Sequence, residues 1–315
     1  MSRWRSQKAA LRNLEELAGP RRRATTHRTD RMLDLAQHGH HDKTGGSDDM
    51  GTRLLAALIV VLLGSAEASG APFDTCAEHV PFGVPTLTQP ARVTPICHPG
   101  YAALHDDDRL VSRWVAFRLT GKHTFGCLAR TNDFHADEEL PPGRRAKPAD
   151  YKRSGYDQGH QAPADDFAWS VPQMHDSFSM ANMTPQLPRL NRAEWERLEE
   201  TVRAWAWERG TLMIYVGPVL AATGKTIGAD HVAVPLAFWK VIVDPARREA
   251  IAFVLPQANI PKGDLAPWVK AVAAVEKMAG IRLPLPDGID ASAVTALWPV
   301  NLKGWRAKHK AACAR

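Results

Sequence analysis

An apolar run lies inside this chain rather than at its start, and it decides where the remainder must fold. Met50 is followed by Gly51, Thr52 and Arg53, then by an unbroken apolar stretch from Leu54 to Leu63, then by small residues ending in Ala66-Glu67-Ala68. A basic start, an apolar centre and a small-x-small end follow the order of a secretory signal. The run is too short to span a bilayer, which takes about 20 apolar residues. The expectation is therefore a signal peptide over residues 50–68, removed on export. Residues 69–315 then fold in the periplasm or outside the cell, with no membrane attachment. Residues 1–49 precede a signal that ought to open a chain. With Arg21-Arg22-Arg23 and His38-Gly39-His40-His41 they read as a non-native or disordered leader, and Met50 as the expected start.

Export sets the cysteine chemistry. Cys76, Cys97, Cys127 and Cys313 all follow the cleavage site, and an oxidising compartment favours disulfides. Four cysteines allow three pairings, and spacing does not choose among them. Cys76 with Cys97 would close the shortest loop and leave Cys127 for Cys313. The absence of any C-x-x-C pair argues against a zinc ribbon. The net charge of +6 suits a polyanionic partner without requiring one, and half of it lies in residues 1–49.

Hydrophobic periodicity supplies the elements. Residues 72–108 are Pro-rich and read as loop. Val111–Thr120 reads as a strand, and residues 130–156 as a long surface loop of the functional kind. Trp195, Leu198, Val202 and Trp205 recur at 3, 4 and 3 residues, which predicts a helix over Asn191–Arg209. Thr211–Val216, Val232–Val243 and Glu249–Leu255 read as strands, the last two joined by the turn Asp244-Pro245-Ala246-Arg247. Leu265–Met278 reads as a second helix. Strands and helices mixed along one stretch, with no internal repeat, predict a single α+β domain over 69–315, built on a mixed antiparallel sheet with helices.

The chemistry is concentrated in Tyr156-Asp157-Gln158-Gly159-His160, in Asn182-Met183-Thr184-Pro185-Gln186 and in Leu190-Asn191 through Glu199. Glycine beside histidine lets a ligand approach the backbone. On a helix, Asn191 and Glu199 lie about 80° apart around the axis and about 12 Å apart along it, flanking the apolar stripe. A polar pair beside an inward stripe needs partners, such as a hydrated divalent cation. Asn191 also suits a helix N-cap. The histidines at 105, 123, 135 and 175 read as surface or loop residues, Trp195 as core, and Arg144-Arg145 as either a steering or a solvated pair. No G-x-S-x-G occurs, which disfavours a serine hydrolase.

Taken in order, Asp157-x-Gly159-His160, Asn182-x-x-Pro185-Gln186, Leu190-Asn191, Trp195 and Glu199 resemble the DNA/RNA non-specific endonuclease family, whose active site is a ββα-metal (His-Me) finger. Asp150-Tyr151, Ser154-Gly155-Tyr156, Gly217-Pro218, Pro235 and Phe238-Trp239-Lys240 extend the likeness to about residues 73–310. The family has Arg where this chain has Gln158, which removes one positive charge beside the phosphate. The resemblance implies an endonuclease acting on DNA and RNA, with His160 as general base and Asn191 as the protein ligand to Mg²⁺, Mn²⁺ being an alternative ion. It also implies that Asp157 supports the metal ligand and that Glu199 holds metal-bound water. Asn182 and Gln158 would lie on the substrate, Arg130 would clamp phosphate, and Arg203 would either stabilise charge there or pair with Glu199 on an exposed helix face. Contacts to phosphate and sugar carry no direct sequence information, so weak base preference and loss of activity with salt are expected. Two other readings fit the same residues: a non-catalytic nucleic-acid-binding protein on this fold, and a phosphodiesterase of small nucleotides. A homodimer is compatible with either nuclease or binder.

Overall fold

The computed structural model describes residues 72–314; the leader and signal readings for 1–49 and 50–68 lie outside them. The strands in chain order are β1 (Thr86–Leu87), β2 (Val93–His98), β3 (Tyr101–Asp106), β4 (Val111–Thr120), β5 (Asp157–His160), β6 (Met183–Gln186), β7 (Thr211–Val219), β8 (Thr226–Ile227), β9 (Val232–Ala233), β10 (Ala237–Asp244), β11 (Glu249–Pro256), β12 (Val269–Lys270) and β13 (Ile281–Arg282). The α-helices are α1 (Pro148–Tyr151), α2 (Val171–Ser177), α3 (Glu196–Arg209), α4 (Val272–Ala279) and α5 (Leu302–Cys313). Seven strands form one antiparallel sheet in the order β12-β11-β10-β7-β4-β3-β2. The α+β expectation is met.

Both faces of this sheet are covered. Successive side chains of a strand point to opposite faces, and on β7 Leu212, Ile214 and Val216 join one apolar cluster while Met213 and Tyr215 join the other. The first cluster lies under Trp195, Leu198, Val202 and Trp205; the second is closed by Phe73, Cys76 and, from α4, Val272, Val275 and Met278. Burial on both sides explains why the central strands read as near-continuous apolar runs rather than as alternation.

Three expectations need correction. Residues 72–108 are not all loop, because they hold β1, β2 and β3. β2 is an edge strand with one fully buried residue, Ile96, and its Pro95 is tolerated where no inward N–H is needed. The run 232–243 is two strands, since Pro235 has no N–H to continue a ladder. Leu265–Met278 is a 3-10 turn at Ala266–Trp268, then β12, then α4 from Val272. Pro267 keeps the first part from being helical interior. Sequence periodicity also passed over α5, whose only buried residue is Trp305.

Two disulfides are present, Cys76–Cys97 and Cys127–Cys313. The second fastens α5 across a sequence separation of 186 residues. Around it, Trp305 Nε1 donates to Thr124 Oγ1 and His309 Nε2 donates to the Gly126 carbonyl. Long closed loops restrict the unfolded chain most. Replacing Cys127 and Cys313 together by serine is expected to lower unfolding free energy by about 2–5 kcal/mol in denaturant titration. A loss below about 0.5 kcal/mol would show that α5 holds without the bond.

Candidate active site

β5 and β6 pair as a hairpin, with Asp157 opposite Gln186 and His160 opposite Met183. The segment from Leu190 to Arg209 follows it, so two strands and a helix stand together in the order expected of a ββα finger. The helix does not begin as an α-helix: Leu190–Trp195 is a wider π-helical turn leading into α3. Such turns alter the angle at which side chains leave the axis and recur at functional sites.

A cleft of about 710 Å³ opens here. Asp157, Gln158 and His160 reach it from β5, Asn191 from the π turn, Glu199 from α3, and Arg130 from the loop before α1. Asn182 and Arg203 do not line it. Asn182 is fully buried and every polar atom of its amide is used: Oδ1 accepts from Ala162 N at 2.9 Å, and Nδ2 donates to the Ala162 and Ser177 carbonyls, each at 2.8 Å. It braces the turn after His160 rather than lining the cleft. Arg203 is buried rather than exposed; it is paired with Asp166 at 3.0 Å and Asp165 at 3.5 Å, beneath Trp305. The expected Glu199–Arg203 surface pair is replaced by this buried one.

His160 is 8% exposed, and its Nε2 is buried without a hydrogen-bond partner among the described residues. Phe178 meets the ring edge-on with centroids 5.1 Å apart, and Phe134 at 5.8 Å. Burial pushes the imidazole well below its ordinary pKa; the Arg130 charge adds to this, while a backbone hydrogen bond with Gln158 opposes it. The ring is therefore neutral at neutral pH, with a lone pair to offer. Gly159 has a different purpose from the one expected. A Cβ there would meet Gln186 Oε1 at 2.4 Å, so the space belongs to the hairpin's own glutamine.

Asp157 sets the orientation of Asn191. Its Oδ2 accepts from Asn191 Nδ2 at 3.0 Å, and both oxygens accept from Arg192 at 2.6 and 2.8 Å. A carboxylate only accepts, so it selects the NH₂ end of the amide, and among the described residues no hydrogen bond is made to the Asn191 carbonyl oxygen. Asn191 thus makes no N-cap bond. Glu199, part-buried, is raised from its ordinary carboxyl range to about 7, chiefly by burial, against the pull of Lys240 and Arg203. An amide oxygen, a carboxylate and a cleft wide enough for water form an all-oxygen set, which suits a hard cation such as Mg²⁺ that retains several waters.

Sequence reasoning missed several contributors. Lys240 is 1% exposed in the middle of β10, with Nζ 5.0 Å from the Trp195 ring, and burial lowers its pKa. A lysine in an otherwise apolar strand signals a buried counter-charge, and that signal was readable. Lys152 and Arg192 also line the cleft. Of the histidines read as surface residues, His105 is fully buried and donates from Nε2 to the Arg144 carbonyl. His123 stacks on Trp169, and His135 stacks on His175. Arg145 is tied to the Asp137 carbonyl and Arg144 to Asp107, so neither is simply solvated. Trp195 is core, as expected.

Removing Asp157 should free the Asn191 amide. With Asn191 as the expected metal ligand, Asp157→Ala should lower cleavage rate about 10–100-fold, the usual cost of losing such a ligand's partner, while melting temperature changes little. An unchanged rate would show that the amide needs no such support.

The family described as DNA/RNA non-specific endonuclease matches residues 80–289. Bovine mitochondrial endonuclease G is 30% identical over 231 residues, covering 69% of this chain and 74% of that protein. The nuclease of Serratia marcescens is 31% identical over 252 residues, covering 76% of this chain and 91% of that protein. A crystal structure of an EndoG/EndoGI complex superposes with a TM-score of 0.62 at 26% identity, covering 70% of this chain and 98% of the matched one. The match spans the whole hairpin, the π turn and α3, and this chain belongs to the DNA/RNA non-specific endonuclease family.

Proposed function

We propose that this endonuclease is exported to the periplasm or the medium and hydrolyses phosphodiesters of DNA and RNA with little base preference. His160 takes the proton from the attacking water, and Asn191 with Glu199 holds Mg²⁺, or Mn²⁺ in its place. The observation that carries this reading is the unpartnered Nε2 of a neutral His160 at the wall of a cleft that also presents the free Asn191 carbonyl. The two disulfides support export.

The bound metal supplies positive charge at the phosphate and at the leaving oxygen. The chain's own groups do the rest. Arg130 lies over the Phe178 ring at 4.8 Å and depresses the basicity of His160 while uncompensated. A docked phosphate would neutralise that charge, so His160 gains proton affinity as substrate arrives. Among the described residues Arg130 and Lys152 form no ion pair, unlike Arg192, and are the cations available to phosphate from this wall. Among the described residues the Gln158 side chain donates only to Met180 Sδ, at 3.9 Å, and it brings no charge, so more of the phosphate binding falls on Arg130.

Two measurements test the reading. Plasmid cleavage by the full chain should require Mg²⁺ or Mn²⁺, stop with EDTA, and fall about 10²–10⁴-fold in His160→Ala, the usual range for a general base. Cleavage indifferent to His160 would remove the base; hydrolysis of a dinucleotide ester with intact plasmid would favour the small-ester reading. The pH profile tests Glu199. Its carboxyl is raised to about 7, so the carboxylate needed for the metal waters is lost as pH falls through about 7. At limiting Mg²⁺, kcat/KM should drop below that pH, and Glu199→Gln should remove the limb. His160 titrates well below its ordinary range, so a limb surviving in Glu199→Gln would assign the titration elsewhere.

A further inference from the structure

The loop that brings Arg130 to the cleft carries, three residues on, a second set of polar side chains that the cleft does not use. Asp133 Oδ2 accepts from His175 Nδ1 at 2.7 Å, and His135 Nδ1 donates to the Asp133 backbone carbonyl at 2.7 Å. The two imidazoles stack 4.3 Å apart with 6° between their planes. One ligand atom from each of Asp133, His135 and His175 lies within 4.8 Å of the others. We propose that these three residues form a second metal site, separate from the catalytic one, that takes Zn²⁺.

The donor set decides the ion. Two imidazoles and one carboxylate suit Zn²⁺ and its borderline neighbours, whereas Mg²⁺ takes oxygens and water. The catalytic cleft offers oxygens, so the two sites sort ions by chemistry. The bond from His135 Nδ1 to a carbonyl fixes the tautomer and leaves Nε2 as a lone pair, which is the usual arrangement behind a metal-bound histidine. His175 exchanges its bond to Asp133 for a shared ion, and the open fourth position faces water because Asp133 and His175 are exposed. The neighbouring group of His98, Asp137 and Glu139 is unlike it. There the buried Asp137 carboxylate already accepts from His98, the Ser179 hydroxyl and the Glu139 N–H, so an ion competes with three bonds, against one at the Asp133 carboxylate.

Such an ion would join two elements that enclose the catalytic histidine. Asp133 and His135 flank Phe134, and His175 lies three residues before Phe178, the two rings set against His160. The loop already touches this segment through its backbone, His135 N to the Phe178 carbonyl at 3.3 Å and Met180 N to the His135 carbonyl at 2.8 Å. Zn²⁺ would clamp that junction from the solvent side and hold the Arg130 loop in place.

The test uses the full chain with His38, His40 and His41 replaced by alanine, so that the leader cannot bind the ion, in excess Mg²⁺ to occupy the oxygen site. Zn²⁺ is titrated by calorimetry, and Co²⁺ serves as a visible probe of nitrogen coordination. One equivalent should bind. At a hundredfold excess over the dissociation constant it should raise the melting temperature by roughly 5–10 °C. Both the equivalent and the shift should disappear in His175→Ala and weaken in Asp133→Asn, the second variant guarding against misfolding of the first. Unchanged binding in both variants, or no binding in the parent, overturns the site. Neither readout involves nucleic acid, so this outcome is independent of the nuclease reading.

Discussion

A sheet buried on both faces governs this molecule. No residue of β10 is exposed, and β7 and β11 are buried beyond their first residues. Each face therefore needs its own cover, since open apolar area costs about 25 cal/mol per Å². The π turn and α3 cover one face with Trp195, Leu198, Val202 and Trp205, and that docking is what positions the cleft residues. With its stripe held on the sheet, the helix must turn its flanks, Asn191 and Glu199, toward the cleft. The candidate active site is thus an edge of the core rather than an addition to it.

Among the polar groups in and beside that core are four interacting ionisable side chains. Lys240 projects from the sheet, and Asp166, Arg203 and Glu199 interact with it electrostatically. Removing one partner of a buried pair typically costs 3–5 kcal/mol, because the other charge is stranded. Arg203 is therefore tied into the fold by Asp166 before any substrate is present. The raised carboxyl of Glu199 comes from the same burial, so one environment both stabilises the helix seat and tunes the carboxyl proposed to hold metal-bound water.

Legibility in the sequence followed the physics of each element. β4, the core of β7, β10 and β11 were readable because burial on two faces writes long apolar runs, and α3 because one buried face writes a 3-4-3 spacing. β2 and β3 were not, since an edge strand interrupted by Pro95 and a strand holding buried His105 and Asp106 carry no simple alternation. In the site, His160, Asp157, Asn191, Glu199 and Arg130 were legible from residue type and order, and they share one cleft. Asn182 was misjudged because an amide serves a phosphate and a backbone turn equally well; only its complete burial separates the two. Arg203 was misjudged because its partner Asp166 lies 37 residues away, beyond any helical spacing.

The bond between Cys127 and Cys313 also has a topological side. Every element from α1 to α5 lies between those residues, so most of the folded chain forms a covalent ring. Residues 222–226 and 262–264 are exposed stretches within it, the natural places for a protease to cut. One cut there only opens the ring: both fragments stay joined through sulfur, and neither can diffuse away. Two cuts are needed to release a piece. Tolerance of a single cut in this ring is thus set by connectivity, apart from whatever the bond adds to folding free energy.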